Sequence, residues 1–355
     1  MKVTYSFIAV LLITLFTGCK QDFDITADYI EVPVVYGLLN QQDDTSYIRI
    51  QKGYLIDGNA LIAAGVPDSV YYPDVLTVKF VPYNANESSG GVSITLNRVD
   101  GNTVSLPKET GTFANTPNWL YSFNTPLDPT KNYKLEVTNT SNGYTFSNKK
   151  IDGINGVTLV KDFQVLVPTK AAKINLQNTS STKVVWNAAE NAGVYDLTVR
   201  FHYREYLQLD NSLLKDTFVD ILLFKSLAYD YNGGGSVTPF EITSDNILGF
   251  LANHLTASPD VYREFSVQKG MQFKFAAGGT ELAKFMNSKN SQGGLASNEA
   301  LPPYTNIDGG VGLLSSRYFK QVDSVLLSNN GLDSLACSAI SRGLRFKNHS
   351  GNICQ

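Results

Sequence analysis

The chain has 355 residues, a formal charge of −3 and only 17% charged side chains. With 29 Lys and Arg against 32 Asp and Glu, it has no basic surplus to neutralise phosphates, which argues against nucleic acid as a partner. The 19 Tyr, 19 Phe and 28 Gly give the composition of strands and turns.

Residues 7–16, FIAVLLITLF, form an apolar run preceded by a single charge, Lys2. The run falls short of the roughly 20 residues that span a bilayer and matches the apolar core of a signal peptide. Phe16-Thr17-Gly18-Cys19 ends it with small residues before a cysteine. That is the pattern of a lipoprotein processing site, in which cleavage leaves Cys19 at the new terminus to be acylated. The other reading is an ordinary secretory leader with a chance cysteine; the place of Cys19, directly where the run stops, favours acylation. Each acyl CH₂ buried in a membrane contributes about 0.8 kcal/mol, so two or three chains anchor durably. Residues 1–18 are then a signal peptide and 19–31 a lipidated tether. Cleavage removes one lysine and leaves 337 residues with 28 basic and 32 acidic side chains, formally −4. At about 150 residues per domain, this length predicts two domains.

Residues 32–36 and 47–50 read as strands around a polar turn carrying Asp43 and Asp44. These two acids fit a hairpin tip better than a cation loop, because no further ligand falls at calcium-loop spacing. Residues 58–69 read as a loop with an apolar insert, and 75–83 alternates as a strand. Asp100-Gly101, between 92–99 and 103–106, predicts a two-residue hairpin, as does Asn142-Gly143 between 133–137 and 144–147. Residues 119–123 are another strand. Leu127-Asp128-Pro129 with Tyr133 resembles the corner before a late fibronectin-like strand, where a tyrosine hydroxyl caps backbone. Residues 32–150 are thus expected to form an N-terminal antiparallel β-sandwich, and 151–160 a connector.

Residues 183–186 and 193–203 resemble the second and third strands of a fibronectin type III module. Trp186 would fill the centre, with Tyr195, Leu197, Val199 and Phe201 on one face at period two. Asp196, Thr198, Arg200 and His202 fall on the other face, which makes His202 a solvated strand residue in preference to a catalytic base. Strands follow at 217–224, 261–267 and 271–276, with two short helices at 245–254 and 281–287 whose apolar sides cover a core. Tyr229, Asp230 and Tyr231 lie in a glycine-rich loop; exposed aromatics there would stack on a sugar, and the alternative is a plain hairpin tip. Gly309, Gly310 and Gly312 suit a bulged strand start better than a phosphate loop, because no helix follows them. Residues 322–327 read as a strand and 332–341 as a helix. The expected fold is mainly β: two tandem antiparallel sandwiches, immunoglobulin or fibronectin III-like, the second at 161–355 with helical insertions.

Cys337 and Cys354 are the remaining cysteines, and in an oxidising compartment they are expected to pair. Closing a loop of that size contributes about 3 kcal/mol in the chain-entropy picture. The alternative is a reactive thiol with His349 as its base. No Cys/His cluster offers a metal site, and no motif implies a cofactor. GxSxG, HExxH and phosphate-loop motifs do not occur, which removes the usual marks of serine esterases, zincins and NTPases.

Val34-Val35-Tyr36-Gly37-Leu38-Leu39-Asn40, with Asp44 and Tyr47-Ile48-Arg49-Ile50, resembles the opening of a family of uncharacterised Bacteroidota outer-membrane lipoproteins. Residues 304–317 resemble their late motif, and Lys20-Gln21-Asp22-Phe23-Asp24 resembles the export signal that sends such lipoproteins to the cell surface. The resemblance implies tandem sandwiches, no assigned enzyme activity and an accessory role beside TonB-dependent transporters. It supplies no catalytic residues. Ser69 and Ser334, each in an Asp-Ser-(Val/Leu) tripeptide, resemble O-glycosylation sites of that phylum; Ser324 sits in a third such tripeptide, inside an expected strand.

Together these readings anticipate an outer-membrane, lipid-anchored, non-catalytic binding or accessory component, surface-exposed or alternatively on the periplasmic face. Its partners would be the membrane through the N-terminal lipid and an envelope protein or glycan. A surface glycan hydrolase, needing two facing carboxylates, and a structural envelope component are the other readings.

Overall fold

The computed structural model describes residues 32–54, 59–150, 153–177, 181–229, 235, 240–291 and 304–354. Cys19, the signal peptide, the 19–31 tether, Asp230 and Tyr231 lie outside the described residues. The chain is mainly β, with several sheets.

β1 (Pro33–Leu39) and β2 (Ser46–Lys52) form the first hairpin. Val35, Leu39, Ile48 and Ile50 point inward at period two, and Asn40 donates to Asp43 at 2.7 Å across the tip. The apolar insert expected in a loop is helical instead: α1 (Ala60–Ala64), where the Asn59 side chain caps the Leu61 amide, and α2 (Pro67–Val70), which has proline in its first turn. β3 (Leu76–Tyr83), β4 (Ile94–Thr95), β5 (Asn97–Asp100), β6 (Trp119–Phe123), β7 (Asn132–Asn139), β8 (Thr145–Asn148) and β9 (Val157–Thr158) follow. A hairpin joins β7 to β8 as expected, but through the longer loop 140–143: Thr138 pairs with Thr145, Asn139 N donates to Tyr144 O, and Gly143 takes φ +76°. Asp100-Gly101 makes no hairpin. Asp100 accepts from the amides of Asn102 and Asn118 at 3.0 and 2.9 Å, a 3₁₀ turn follows, and the partner of β5 is β6. Tyr133 accepts from the Asp128 amide at 2.7 Å, which is the expected tyrosine corner.

The later strands are β10 (Val165–Val167), β11 (Lys173–Ile174), β12 (Thr182–Trp186), β13 (Ala192–Leu207), β14 (Leu213–Ala228), β15 (Phe240–Ile242), β16 (Val261–Phe265), β17 (Met271–Gly279), β18 (Ile307–Asp308) and β19 (Val311–Leu327). Helix α3 (Phe250–His254) precedes β16, α4 (Thr280–Ser291) follows β17, and α5 (Asn329–Cys337) follows β19. A ten-stranded sheet runs β14-β13-β17-β19-β1-β2-β6-β5, with β16 beside β13 and β11 beside β19. A six-stranded sheet holds β18, β8, β7, β3 and β4, with β9 beside β7, and a small third sheet holds β10, β12 and β15.

Two large buried clusters result. The first lies between the ten- and six-stranded sheets, with Val35, Ile48 and Phe123 meeting Phe80, Leu135 and Phe146. The second surrounds Trp186, whose ring lies 5.3 Å from Tyr195 and 5.5 Å from Phe275. Tyr195, Leu197, Val199 and Phe201 are all fully buried in it, as their spacing requires. β16 is fixed to β13 by Arg263, which is buried with Glu205 at 2.8 Å and also donates to the carbonyls of Leu344 and Thr256.

Strand pairing runs across residues 151–160. β18 pairs with β8, and the first part of β19 pairs in parallel with β1, from Val34–Val311 to Leu39–Ser316. The same strand then turns to β17, pairing Gly278 with Arg317 and Met271 with Val325. Residues 307–316 therefore complete the N-terminal sheets, and residues 322–327 are the end of this long strand. The close approach explains the glycines: at Gly312 φ is +123°, and a Cβ would sit 1.9 Å from the Val35 carbonyl oxygen.

Gly312→Ala should therefore lower stability by about 2–4 kcal/mol through strain and overpacking. Gly351→Ala, at φ +82° with open space around it, should cost only about 1 kcal/mol. Urea unfolding of both variants checks the pair; equal midpoints would contradict the account.

Candidate functional site

An enclosed polar place sits where β19 passes from β1 to β17. β17 runs into α4 at Gly279-Thr280 without a linker. A Cβ on Gly279 would meet Ser315 Oγ at 2.8 Å, so glycine lets the turn close on the strand behind it. The Leu282 amide donates to Ser315 Oγ at 3.2 Å, and Ser316 Oγ accepts from Val160 N at 3.0 Å and donates to the Thr158 carbonyl at 2.8 Å. Two neighbouring hydroxyls thus dock the helix and the connector to one strand.

Glu281, in the first turn of α4, is 6% exposed. Lys284 donates to its Oε1 at 2.9 Å, and the Tyr304 hydroxyl donates to Oε2. A buried carboxylate needs such partners, because an unpaired buried charge costs several kcal/mol. Beside it is a cavity of about 140 Å³ lined by Gly156, Thr158, Asn191, Thr280, Glu281 and Ser315. It is smaller than the roughly 300–1,000 Å³ clefts that enclose larger ligands. Its single carboxylate has both oxygens engaged, so it lacks the free acid and base that hydrolysis requires.

The same helix borders a wider groove. Phe285 packs edge-on against Tyr36 at 6.4 Å, and Tyr36 lines a concavity of about 360 Å³ with Tyr47, Arg49, Leu120, Leu313 and Arg317. Arg49 donates to the Tyr71 hydroxyl at 3.1 Å, and Arg317 lies 3.5 Å from Asp43 and over the Phe319 ring. Neither guanidinium is bound in a two-pronged carboxylate pair. Two tyrosines and two arginines over an apolar floor suit a ring-bearing anion.

Residues named from the sequence fall elsewhere. Tyr229 is only partly exposed. Its amide donates to Gly193 O at 3.1 Å and its ring packs on the second core, because β14 delivers it at the end of the β13 pairing. Ser69 and Ser334 are half-buried on α2 and α5. Cys337 and Cys354 form a disulfide with Cα atoms 5.1 Å apart. His349 thus has no thiol to serve.

Instead, His349 joins a relay that was not anticipated. Its Nδ1 is 2.6 Å from Asp333 Oδ1 and its Nε2 is 3.1 Å from Ser350 Oγ. The hydrogen bond from His349 holds the Asp333 carboxyl below its ordinary range. Acyl transfer also needs backbone donors for an oxyanion. In this turn Ser350 N and Asn352 N donate to Asn348 Oδ1, and Gly351 N donates to Asn348 O. The relay therefore pins the C-terminal turn onto α5 and leaves those donors spent.

Sequence spacing gave no sign of Glu281 as a buried group, because Tyr304, 23 residues later, supplies its partner. His202 was expected to be solvated. It does face outward from β13, but Phe218 on β14 lies 5.7 Å away and leaves it only 9% exposed. Among the described residues no group of three His, Cys, Asp or Glu is arranged to hold a metal. No protein-family model matches the chain, and no curated protein matches it.

Burial lowers the His202 pKa from 6.5, opposed by the nearby Gln272 side chain. A depressed value means that the unfolded chain takes up a proton first as pH falls below 6.5, so stability present above 6.5 declines toward the folded-state value. His202→Gln should therefore flatten the fall of the urea midpoint between neutral pH and mildly acidic pH. Parallel profiles for the two proteins would refute it.

Proposed function

We propose that this chain is a Bacteroidota-type outer-membrane lipoprotein, anchored through acylated Cys19, that acts as a non-catalytic binding or accessory component at the cell surface beside a TonB-dependent transporter. The observation that carries this reading is the apolar run at 7–16 ending on Thr17-Gly18-Cys19. Among the described residues, the Val32 carbonyl accepts from Gly53 N at 2.7 Å. Among the described residues no helix is long and apolar enough to cross a membrane; β-strand crossings are a separate matter.

We read the two buried clusters as tandem sandwiches. Each carries a tyrosine whose hydroxyl caps a backbone amide a few residues upstream, Tyr133 at Asp128 and Tyr195 at Ala189. We assign capture to the Tyr36, Tyr47, Arg49 and Arg317 groove, with an acidic saccharide as the class of ligand. Support for a non-catalytic role comes from the state of the acids. Glu281 is paired twice, and Glu136, which lines an open groove with Asp308, is tied to Lys134 at 3.0 Å. A glycoside hydrolase needs a free acid and its partner facing across roughly 5–9.5 Å.

Cys19→Ser should abolish incorporation of a clickable fatty acid and release the protein from the outer-membrane fraction. Labelling that persists would sink the anchor reading. Arg317→Ala and Tyr36→Ala should each weaken retention on an acidic-glycan array about tenfold or more, in line with loss of a charged or aromatic anchor. Retention unchanged in both variants would remove the groove from consideration.

A further inference from the structure

One end of the ten-stranded sheet keeps apolar side chains in water. β1 begins there, because Pro33 pairs with Lys52 at the end of β2. β6 also begins there, since it runs antiparallel to β2 with Ile48 opposite Tyr121. The segments that leave this end are α1 with α2, and the 101–118 connection between β5 and β6. They expose Leu61 (68%), Ile62 (71%) and Phe113 (50%), with Val66 beside them on the α1–α2 turn.

These segments form one rigid platform. Ala114 N donates to Ala64 O at 2.8 Å, and Lys108 donates to Ala114 O at 3.0 Å while lying over the Phe113 ring. Beneath them Val70, Tyr71 and Ala114 pack with Tyr54 and Trp119 in a separate small core. Exposed large apolar side chains on such a firm base mark a contact surface.

The tether arrives at the same end, where Val32 is held by Gly53. The 13 residues from 19 to 31 reach at most about 45 Å when extended. We infer that Leu61, Ile62, Val66 and Phe113 make a second contact with the lipid interface of the bilayer that holds the acyl chains. This rests on the lipoprotein reading. Acyl chains hold a protein near a membrane without orienting it; an apolar platform beside the attachment point does orient it, at the high local concentration the tether imposes. The aliphatic and aromatic tips would enter the headgroup boundary, with the Lys108 ammonium at phosphate level. A partner protein is the competing occupant, but nothing ties one to this end, whereas the tether brings the bilayer there by covalent connection.

The test uses the full acylated protein in vesicles of phosphatidylethanolamine and phosphatidylglycerol. Ile62→Cys supplies a single free thiol for an environment-sensitive fluorophore, and Leu209→Cys, at the opposite end of the sheet and 93% exposed, is the control. Spin-labelled phospholipids should quench the probe at 62 about threefold more than at 209, as expected for burial in the headgroup boundary. Equal quenching overturns the inference, as does shielding from aqueous iodide at 62 without lipid quenching, which would indicate a protein occupant. Mass spectrometry of the same sample reads acylation of Cys19 independently, so failure of the anchor is distinguished from failure of the platform. As a second measure, vesicles should protect Lys108 of the wild type from trypsin, and Leu61→Glu with Ile62→Glu should restore cleavage about threefold. Equal cleavage of both proteins on vesicles would also overturn it.

Discussion

The contact between Gly312 and the Val35 carbonyl is the constraint on which the rest depends. It allows β19 to lie in parallel beside β1 before turning to β17. One strand therefore serves both buried clusters, and the first sheet cannot be completed until the chain has returned from the far half. Pairing across nearly 280 residues is slow to form, because loop closure precedes the reward of contact. The cavity at Glu281 and the groove at Tyr36 both exist because α4 is set down where this strand changes partners.

Some of this was legible in the amino-acid order and some was not, for identifiable reasons. Alternation along β13 reported the burial of Tyr195, Leu197, Val199 and Phe201 because a strand between solvent and core sorts its side chains locally. The β7–β8 hairpin and the Tyr133 corner were readable because their partners lie within a few residues. Asp100-Gly101 misled because Asp100 spends its carboxylate on the amide of Asn118, a partner no local rule supplies. The pairing of β1 with β19 was hidden for the same reason on a larger scale, since parallel pairing leaves no turn between its strands. His202 was placed on the correct face, yet its burial comes from Phe218 on a neighbouring strand. Glu281 lacked any local mark, and Tyr229 looked like a loop aromatic until β14 carried it against the core.

A common theme joins the titratable groups. Glu281 is matched by Lys284 and Tyr304, Glu205 by Arg263, and Asp333 by His349. In each case the charge is spent on holding one segment to another: α4 to the chain just before β18, β16 to β13, the C-terminal turn to α5. Here the polar interior is used as joinery.

β14 ends the large sheet, and among the described residues no strand pairs with its outer side. Lys215, Asp216, Asp220 and Lys225 punctuate its apolar run. Asp216 is held by Lys269 at 2.8 Å and Asp220 by Arg200 at 2.7 Å, while Ser226 breaks the extended backbone at φ +56°. A second copy adding its strand here would have to strip charges that are already satisfied and accommodate that break. The charges along β14 thus set a barrier to edge-to-edge polymerisation of the large sheet.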